Sequence, residues 1–275
     1  MIDLHSHILP GIDDGARTIE DSIAMARMAV EDGTKVLACT PHLAPPLYVN
    51  SGPAIRQAVN ALQAELNSNA IPLKLIAGAD IHIASDLQDS LKNGHALTLA
   101  DTRYFLLEPP HDVLPPQLVA FARRLQNAGY RPILTHPERL RWIEGNYEVI
   151  TELSDAGVVI QLTGASITGL FGRQVKYWSE RMLNEGIVDI LASDAHDTKY
   201  RTTGLTEARN AVAGILGPEE ARMMVLDRPY HILKNEELPP KSPRVKSSAK
   251  SDIRTNAKRS FNPFASWKRK PDKNG

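Results

Sequence analysis

Short apolar runs alternate with amphipathic segments of helical length from the first residue to about residue 235. This alternation restricts the fold more than any other feature, because repeated β-then-α units in one chain indicate a parallel sheet covered by helices. Seven units in this length favour a closed (β/α) barrel over an open doubly wound sheet, although periodicity alone leaves both open. The predicted strands are 2–5, 35–40, 73–79, 104–107, 132–135, 158–162 and 187–192, and the predicted helices lie near 19–32, 53–69, 116–128, 147–156, 173–185 and 205–215.

The pattern stops after residue 235, and the rest of the chain is rich in Pro, Ser, Lys and Arg without a core-forming period. We therefore predict a folded domain over 1–235 and a disordered tail over 236–275. The formal net charge of zero hides an asymmetry, since residues 241–275 carry eleven Lys and Arg but only two acids. Residues 1–240 thus carry a formal net charge of about −9, and residues 241–275 carry a formal net charge of about +9.

Thiol chemistry and membrane insertion are not expected. The single cysteine, Cys39, lies in an apolar run, and the position six residues later is Pro45, where a cysteine-based tyrosine phosphatase needs an arginine. No apolar run reaches 18 residues, and the start of the chain lacks the basic and apolar regions of a signal peptide. A cytoplasmic protein is therefore expected.

Histidine, aspartate or glutamate stands at the end of six predicted strands. In a barrel, side chains at the carboxyl ends of parallel strands converge on one face. Polar loop residues would explain one or two such cases, but not a set made almost wholly of residues that coordinate metals, so we predict a shared metal site. In the first motif, Asp3 is free to orient an imidazole of the His-x-His pair. The residues at these strand ends are His5, His7, His42, Asp80, Glu108, His136, Asp194 and His196.

Several spaced motifs over residues 1–235 resemble those of the PHP superfamily, the polymerase and histidinol phosphatase phosphoesterases. The chain is more closely similar to the manganese-dependent protein-tyrosine phosphatases encoded with bacterial capsule and exopolysaccharide genes. The motifs are Met1-Ile2-Asp3-Leu4-His5-Ser6-His7-Ile8-Leu9-Pro10, Asp13-Asp14-Gly15, Thr40-Pro41-His42, Gly78-Ala79-Asp80-Ile81, Leu107-Glu108, His136-Pro137-Glu138-Arg139 and Ser193-Asp194-Ala195-His196.

The resemblance implies a distorted seven-stranded TIM-like barrel, the PHP fold, with two or three divalent metal ions. Manganese is the expected metal, and a His and carboxylate site also accepts iron, zinc or cobalt. The eight strand-end residues are the implied ligands. The family usually has glutamate where this chain has Asp80, so a bridge between two metals there needs a small backbone shift or is weaker. Asp14 is expected to steady the metal shell or its loop.

The site type implies phosphate ester hydrolysis, in which the ions activate a water molecule and neutralise phosphoryl charge. Arg139 and Arg201 follow predicted ligands and are the expected phosphate clamps, because a guanidinium donates two parallel hydrogen bonds. The resemblance points to phosphotyrosine on a protein, most simply a membrane tyrosine autokinase that controls polysaccharide export. A phosphatase of small monoesters such as histidinol phosphate, a PHP nuclease and a non-catalytic metal scaffold stay open as alternatives. The acidic body argues against nucleic acid.

The tail combines cations with aromatic residues over 258–270, where Phe261, Phe264 and Trp267 stand among lysines and arginines. Cations attract an anionic leaflet and aromatic rings settle at the headgroup level. We therefore expect peripheral contact of the tail with the inner membrane surface, or only non-specific contact with acidic surfaces.

Overall fold

The computed structural model describes residues 1–241. All but the first six residues of the predicted tail, including its aromatic stretch, lie outside the described residues. Within residues 1–241 no helix is long and apolar enough to cross a membrane.

Short parallel strands alternate with helices along the described chain, as the sequence pattern predicts. The strands are β1 (Ile2–Asp3), β2 (Val36–Cys39), β3 (His42–Leu43), β4 (Lys74–Ala77), β5 (Asp80–His82), β6 (Tyr104–Glu108), β7 (Arg131–Thr135), β8 (Val159–Thr163) and β9 (Ile190–Ala192). The helices are α1 (Ile19–Glu31), α2 (Gly52–Ser68), α3 (Leu87–Lys92), α4 (Leu118–Asn127), α5 (Ile143–Asp155), α6 (Gly164–Thr168), α7 (Arg173–Asn184), α8 (Thr206–Leu216), α9 (Pro218–Arg222) and α10 (Arg228–Leu233). Single turns of 3-10 helix (Leu99–Asp101 and Pro137–Arg139) and a π-helical turn (Met223–Asp227) complete the described secondary structure.

The strands form two parallel sheets, one in the order β1-β2-β4 and the other in the order β3-β5-β6-β7-β8-β9. The short strands β3 and β5 follow the ends of β2 and of β4 after a gap of two residues each, and both lie beyond the predicted strands 35–40 and 73–79, so the sequence pattern did not predict them. Beyond β1 and β9 the chain pairs again, because the His7 N–H donates to the Ala195 carbonyl at 2.8 Å and the Asp194 N–H donates to the His5 carbonyl at 2.9 Å. The predicted α/β class with parallel sheets is confirmed, whereas closure into a seven-stranded barrel stays an interpretation.

The loop between β1 and α1 is fixed at both of its ends. The Thr18 hydroxyl accepts a hydrogen bond from the Asp21 N–H, and the Asp21 carboxylate accepts one from the Thr18 N–H, which is the reciprocal cap that starts α1. Gly15 lies so close to His7 that an added Cβ would stand 2.0 Å from the His7 carbonyl oxygen. Only glycine can occupy that position, and the close approach holds Asp13 and Asp14 beside the strand ends.

The folded part of the chain continues past the predicted boundary at residue 235. The Tyr104 hydroxyl donates to the Glu236 carbonyl at 2.6 Å, and the fully buried Arg228 donates to the carbonyls of Pro239 and Pro240. Lys241 Nζ donates to the Ile187 carbonyl at 3.0 Å. Residues 236–241 therefore pack against the body rather than starting the tail.

Candidate metal centre

The residues predicted as metal ligands meet at the carboxyl ends of the strands. Asp80 begins β5, Glu108 ends β6, His136 follows β7, and Asp194 stands two residues after β9. The structure brings all eight predicted ligands into a set of overlapping groups. This convergence is what parallel strands with shared polarity produce at one end.

The two histidines of the first motif are oriented by side chains from other segments. His7 Nδ1 lies 2.7 Å from the buried Asp13 carboxylate, which can only accept, so Nδ1 donates to Asp13 and Nε2 faces the cluster. His5 Nδ1 is held in the same way by Gln161 Oε1 at 2.8 Å. Asp3 was expected to orient a ring nitrogen, but its carboxylate accepts the His5 backbone N–H instead. The Asp3 carboxylate points towards the backbone at the ends of the first and last strands, so it does not orient an imidazole ring.

Asp80 carries a carboxylate that is completely buried and accepts no hydrogen bond through either oxygen. Its Oδ2 atom lies 3.4 Å from His5 Nε2, 3.6 Å from His42 Nδ1 and 4.0 Å from His136 Nε2. A buried carboxylate is costly unless it is paired or coordinates a metal. At these distances a cation can lie between Asp80 Oδ2 and the imidazole nitrogens that face it. The position of Asp80 therefore fits a carboxylate that bridges two metal ions.

Asp194 divides its two oxygens between the histidines and the predicted phosphate clamps. Oδ1 lies 3.3 Å from both His5 Nε2 and His7 Nε2, whereas Oδ2 accepts from Arg139 Nη1 and from Arg201 Nη2. Burial opposes ionisation, but the charges of His5 and the two arginines hold the pKa of this carboxyl well below its usual value. Asp194 is therefore an anion that joins the cluster to both guanidinium groups.

Glu108 lies among four histidine side chains, two of which, His82 and His111, are not among the predicted ligands. Its Oε2 is 3.2 Å from His42 Nδ1 and 2.5 Å from His82 Nε2, and its Oε1 is 3.2 Å from His111 Nε2 and 3.6 Å from His136 Nε2. The position of His82 carried a usable signal, because it lies two residues after a predicted ligand on one strand and so shares its face. No local signal marked His111.

Asp14 stands at the open side of the cluster. Its Oδ1 atom is 3.5 Å from His42 Nε2 and 3.4 Å from His196 Nε2, and these three residues form one candidate metal group with His7. The steadying contacts predicted for Asp14 are made by Asp13, which also accepts from the His42 N–H at 3.1 Å. Asp14 thus occupies a possible ligand position, with a side chain that is 45% exposed.

Protonation differs between the histidines of the ion-free cluster. Burial lowers the pKa of His5, but the carboxylates of Asp194 and Asp80 outweigh it and raise that pKa to about 9. Burial and the charge of His7 lower the pKa of His196 to about 4. The cluster therefore mixes charged and neutral imidazoles, and a divalent ion would replace the protons that balance its carboxylates.

Two of the predicted ligands adopt left-handed backbone conformations. His136 has a φ of 35° and Asp194 a φ of 51°. Such conformations cost free energy for residues other than glycine and concentrate at functional sites. Each bends the chain within two residues of the end of its strand, at the point where the side chain joins the cluster.

The donor set fits divalent ions of the kind that imidazole and carboxylate ligands hold. Each group offers ligand atoms that all lie within 4.8 Å of one another. Cys39 contributes nothing to this set, because burial raises the pKa of its thiol far above the usual value. The candidate groups are His7, Asp14, His42 and His196; His5, His7 and Asp80; His5, His136 and Asp194; His42, His82 and Glu108; and Glu108, His111 and His136.

The fold and the donor set together define an α/β protein with parallel sheets and a candidate metal-binding site of histidines and carboxylates, and comparison with known sequences narrows this class. A profile of the family described as capsular polysaccharide synthesis, CpsB/CapC, matches residues 1–234. The chain belongs to this family, which confirms the resemblance drawn from the motifs.

Two named relatives span nearly the whole folded part. Tyrosine-protein phosphatase YwqE of Bacillus subtilis is 37% identical over 238 residues, covering 86% of this chain and 91% of that protein. Tyrosine-protein phosphatase CpsB of Streptococcus agalactiae is 26% identical over 240 residues, covering 86% of this chain and 99% of that protein. Both share the length of the domain described above.

Solved structures agree with the fold. A crystal structure from a study of YwqE from Bacillus subtilis and CpsB from Streptococcus pneumoniae, described as unique metal-dependent tyrosine phosphatases, superposes with a TM-score of 0.84 at 36% identity. The match covers 89% of this chain and 98% of that chain. A histidinol phosphate phosphatase from Lactococcus lactis superposes with a TM-score of 0.52 at 12% identity and shares the fold alone.

Proposed function

We propose that this protein hydrolyses phosphotyrosine on proteins with the help of two or three divalent ions. The observation that carries the proposal is the buried Asp80 carboxylate, which faces three histidine side chains without accepting a hydrogen bond. The names of the relatives as tyrosine phosphatases, and the description of the similar crystal structure as metal-dependent, support the same chemistry.

The eight strand-end residues are the proposed ligands, and manganese is the proposed metal. Ions held here would supply an activated water nucleophile at neutral pH and would neutralise charge on the phosphoryl group. Gln161 and Asp13 fix the two rings of the first motif, and Asp14 adds a carboxylate on the open side. His82 and His111 enlarge this proposed ligand set around Glu108.

Arg139 and Arg201 are the proposed phosphate clamps. Both side chains are partly exposed, at 16% and 23%, so their guanidinium groups lie at the boundary between the cluster and solvent. Each uses one nitrogen on Asp194 and retains further N–H groups for phosphoryl oxygens. The Phe171 ring lies 4.7 Å from the Arg139 guanidinium carbon and limits its movement.

Purified protein loaded with each metal in turn should be offered a phosphotyrosine peptide, a phosphoserine peptide, histidinol phosphate and a nucleotide diester. Preference for the phosphotyrosine peptide with manganese is expected. A preference for histidinol phosphate or for the diester would favour the corresponding PHP alternative. Metal binding without hydrolysis of any substrate would favour a non-catalytic scaffold.

We interpret the two sheets as one distorted seven-stranded barrel. Counting β2 with β3 and β4 with β5 gives seven strands, and the hydrogen bonds between residues 5–7 and 194–195 join the first strand to the last. This interpretation explains why ligands from the first and last strands, His5 and Asp194, stand side by side.

The physiological substrate proposed is a membrane tyrosine autokinase of polysaccharide export, with the enzyme in the cytoplasm and its basic tail in peripheral contact with the inner membrane. Lys241 bonds to Ile187 and Asp189, just before β9, whereas the site lies after that strand. A tail held at a membrane would therefore start from the end of the domain opposite the site.

Co-sedimentation with anionic and neutral vesicles tests the tail. The truncated control should end at Lys241 rather than at residue 235, because residues 236–241 pack against the body. Full-length protein should bind anionic vesicles and the truncated protein should not, while both should cleave a soluble phosphotyrosine peptide equally. Equal partitioning of the two proteins would remove the membrane proposal.

A further inference from the structure

A cavity of about 320 Å³ opens beside the metal cluster, between the loop before α1 and the loop after β9. His196, a proposed ligand, forms part of its wall. A peptide whose phosphotyrosine entered the cluster would therefore place its neighbouring residues against this cavity.

Two cations of the cavity wall have no acidic partner. Arg17 and Lys199 are exposed, and within residues 1–241 neither forms an ion pair or a side-chain hydrogen bond. Unpaired cations beside a substrate entrance attract an anionic ligand and raise its local concentration.

The two acidic residues of the same wall are engaged in holding the backbone. Asp21 accepts from the Thr18 N–H in the cap of α1. Asp197 Oδ1 accepts from the N–H groups of Lys199 and Tyr200, both at 2.6 Å, and these bonds outweigh burial and keep the pKa of Asp197 below its usual value. The acids therefore shape the wall, and the cations are left to face the cavity.

The loop that carries Lys199 is closed on itself and connected to the reaction site. The N–H groups of His196 and Asp197 both donate to the Arg201 carbonyl, at 2.8 and 3.1 Å. Tyr200, with a side chain that is 74% exposed, adds an aromatic surface to this loop. A side chain bound at Lys199 is thus held in a defined position relative to the Arg201 guanidinium.

We propose that this cavity binds acidic residues flanking the phosphotyrosine, so that Arg17 and Lys199 make the enzyme selective for acidic peptide substrates. The proposal rests on the proposed phosphotyrosine activity. It assigns substrate selection to residues outside the metal cluster, and Tyr200 forms the apolar side of the same subsite.

The test compares two phosphotyrosine peptides that differ only in their flanks, one with Asp and Glu and the other with Asn and Gln. The wild-type enzyme should cleave the acidic peptide with a kcat/KM about threefold to tenfold higher, the size expected from two exposed ion pairs. The preference should shrink as salt rises from about 0.05 to about 0.5 M, because exposed charges are screened.

The variant carrying both Arg17→Ala and Lys199→Ala should lose this preference and keep the wild-type kcat for phenyl phosphate, which has no flank. The Asp197 contacts survive the change, since they use backbone N–H groups. A matched control carries Lys92→Ala and Arg123→Ala, two exposed cations that line no part of this cavity, and should retain the preference.

Equal cleavage of the two peptides by the wild-type enzyme, or an unchanged preference in the Arg17 and Lys199 variant, would overturn this inference while leaving the phosphotyrosine activity standing. Failure to cleave either peptide, with another phosphate ester hydrolysed, would instead overturn the proposed function and this inference with it.

Discussion

Replacing Asp13 with asparagine should weaken metal binding while the fold persists. In the structure, Asp13 Oδ2 lies 2.7 Å from His7 Nδ1 and 3.1 Å from the His42 N–H, and Oδ1 accepts from the Gly15 N–H at 2.9 Å. One carboxylate thus holds a proposed ligand ring, the backbone of a second proposed ligand and the loop between them. Asparagine has a single acceptor oxygen and no charge, so it cannot satisfy these three donors together.

The expected magnitude follows from the role of Asp13 behind the metal ligands. Loss of such a supporting group lowers metal affinity about 10-fold to 100-fold, or about 1.4–2.8 kcal/mol. The side chain does not line the open face of the cluster, so turnover at saturating metal should return close to the wild-type value. The change should therefore raise the metal concentration needed for half-maximal activity much more than it lowers kcat.

Calorimetric titration of metal-free protein with manganese, together with activity at increasing metal concentration, measures both effects. Asp89→Asn is a matched control, because Asp89 is exposed on α3 and the same chemical change there should leave affinity unaltered. Thermal unfolding of the metal-free proteins checks that the variant is folded. A folded Asp13→Asn protein with metal affinity within twofold of wild type would refute the reasoning.

The remaining predictions concern the proposed chemistry and ligands. Cys39→Ser should keep nearly full activity and chelation should abolish it; vanadate-sensitive activity that survived exhaustive chelation would contradict a metal mechanism. Asp80→Ala should lose metal and activity together, whereas Asp80→Glu should be tolerated or bind metal more tightly, as metal content and rate will show. Arg139→Ala and Arg201→Ala should each raise the activation free energy of turnover by on the order of 2–4 kcal/mol without loss of metal. Rates within twofold of wild type would mean that the two arginines form only structural ion pairs. Metal binding should release protons and should strengthen as pH rises towards 9, because the raised pKa of His5 keeps that imidazole protonated in the ion-free protein until metal displaces the proton. Calorimetry in buffers of different ionisation enthalpy measures this proton release, and metal binding without it would contradict the prediction.

Sequence reasoning found the strand ends because strand polarity alone determines where they converge. The apolar runs before His42, Glu108 and Asp194 needed no tertiary information, since parallel strands place their carboxyl ends together. Residues that contribute from outside a strand end were harder to find. His111 reaches Glu108 from a loop whose path depends on packing, and no spacing in the sequence encodes that path.

The different roles of Asp13 and Asp14 could not be predicted from the sequence either. The two residues are identical and adjacent, so composition and spacing cannot tell which one turns inward. The close approach of Gly15 to His7 decides it, because the loop then directs Asp13 to the His7 ring and Asp14 to the open side. The role of Gln161 was not predicted, because its hydrogen bond to His5 joins residues 156 positions apart and no local pattern marks such a contact.

The shortened carboxylate at Asp80 raised the question whether it could reach the site at all. The Asp80 side chain does reach the cluster, because its Oδ2 atom lies between His5, His42 and His136, which come from three different segments. The chain leading into Asp80 is tightly packed, because a Cβ at Gly78 would lie 2.7 Å from Leu99 Cδ2. That packing fixes the backbone immediately before β5, so the side chain at residue 80 has little freedom to retreat from the cluster. Under the proposed bridging role, the shorter side chain is therefore expected to alter the spacing of the metals rather than to remove the bridge, and for this reason metal content and rate must be measured together in the Asp80 variants.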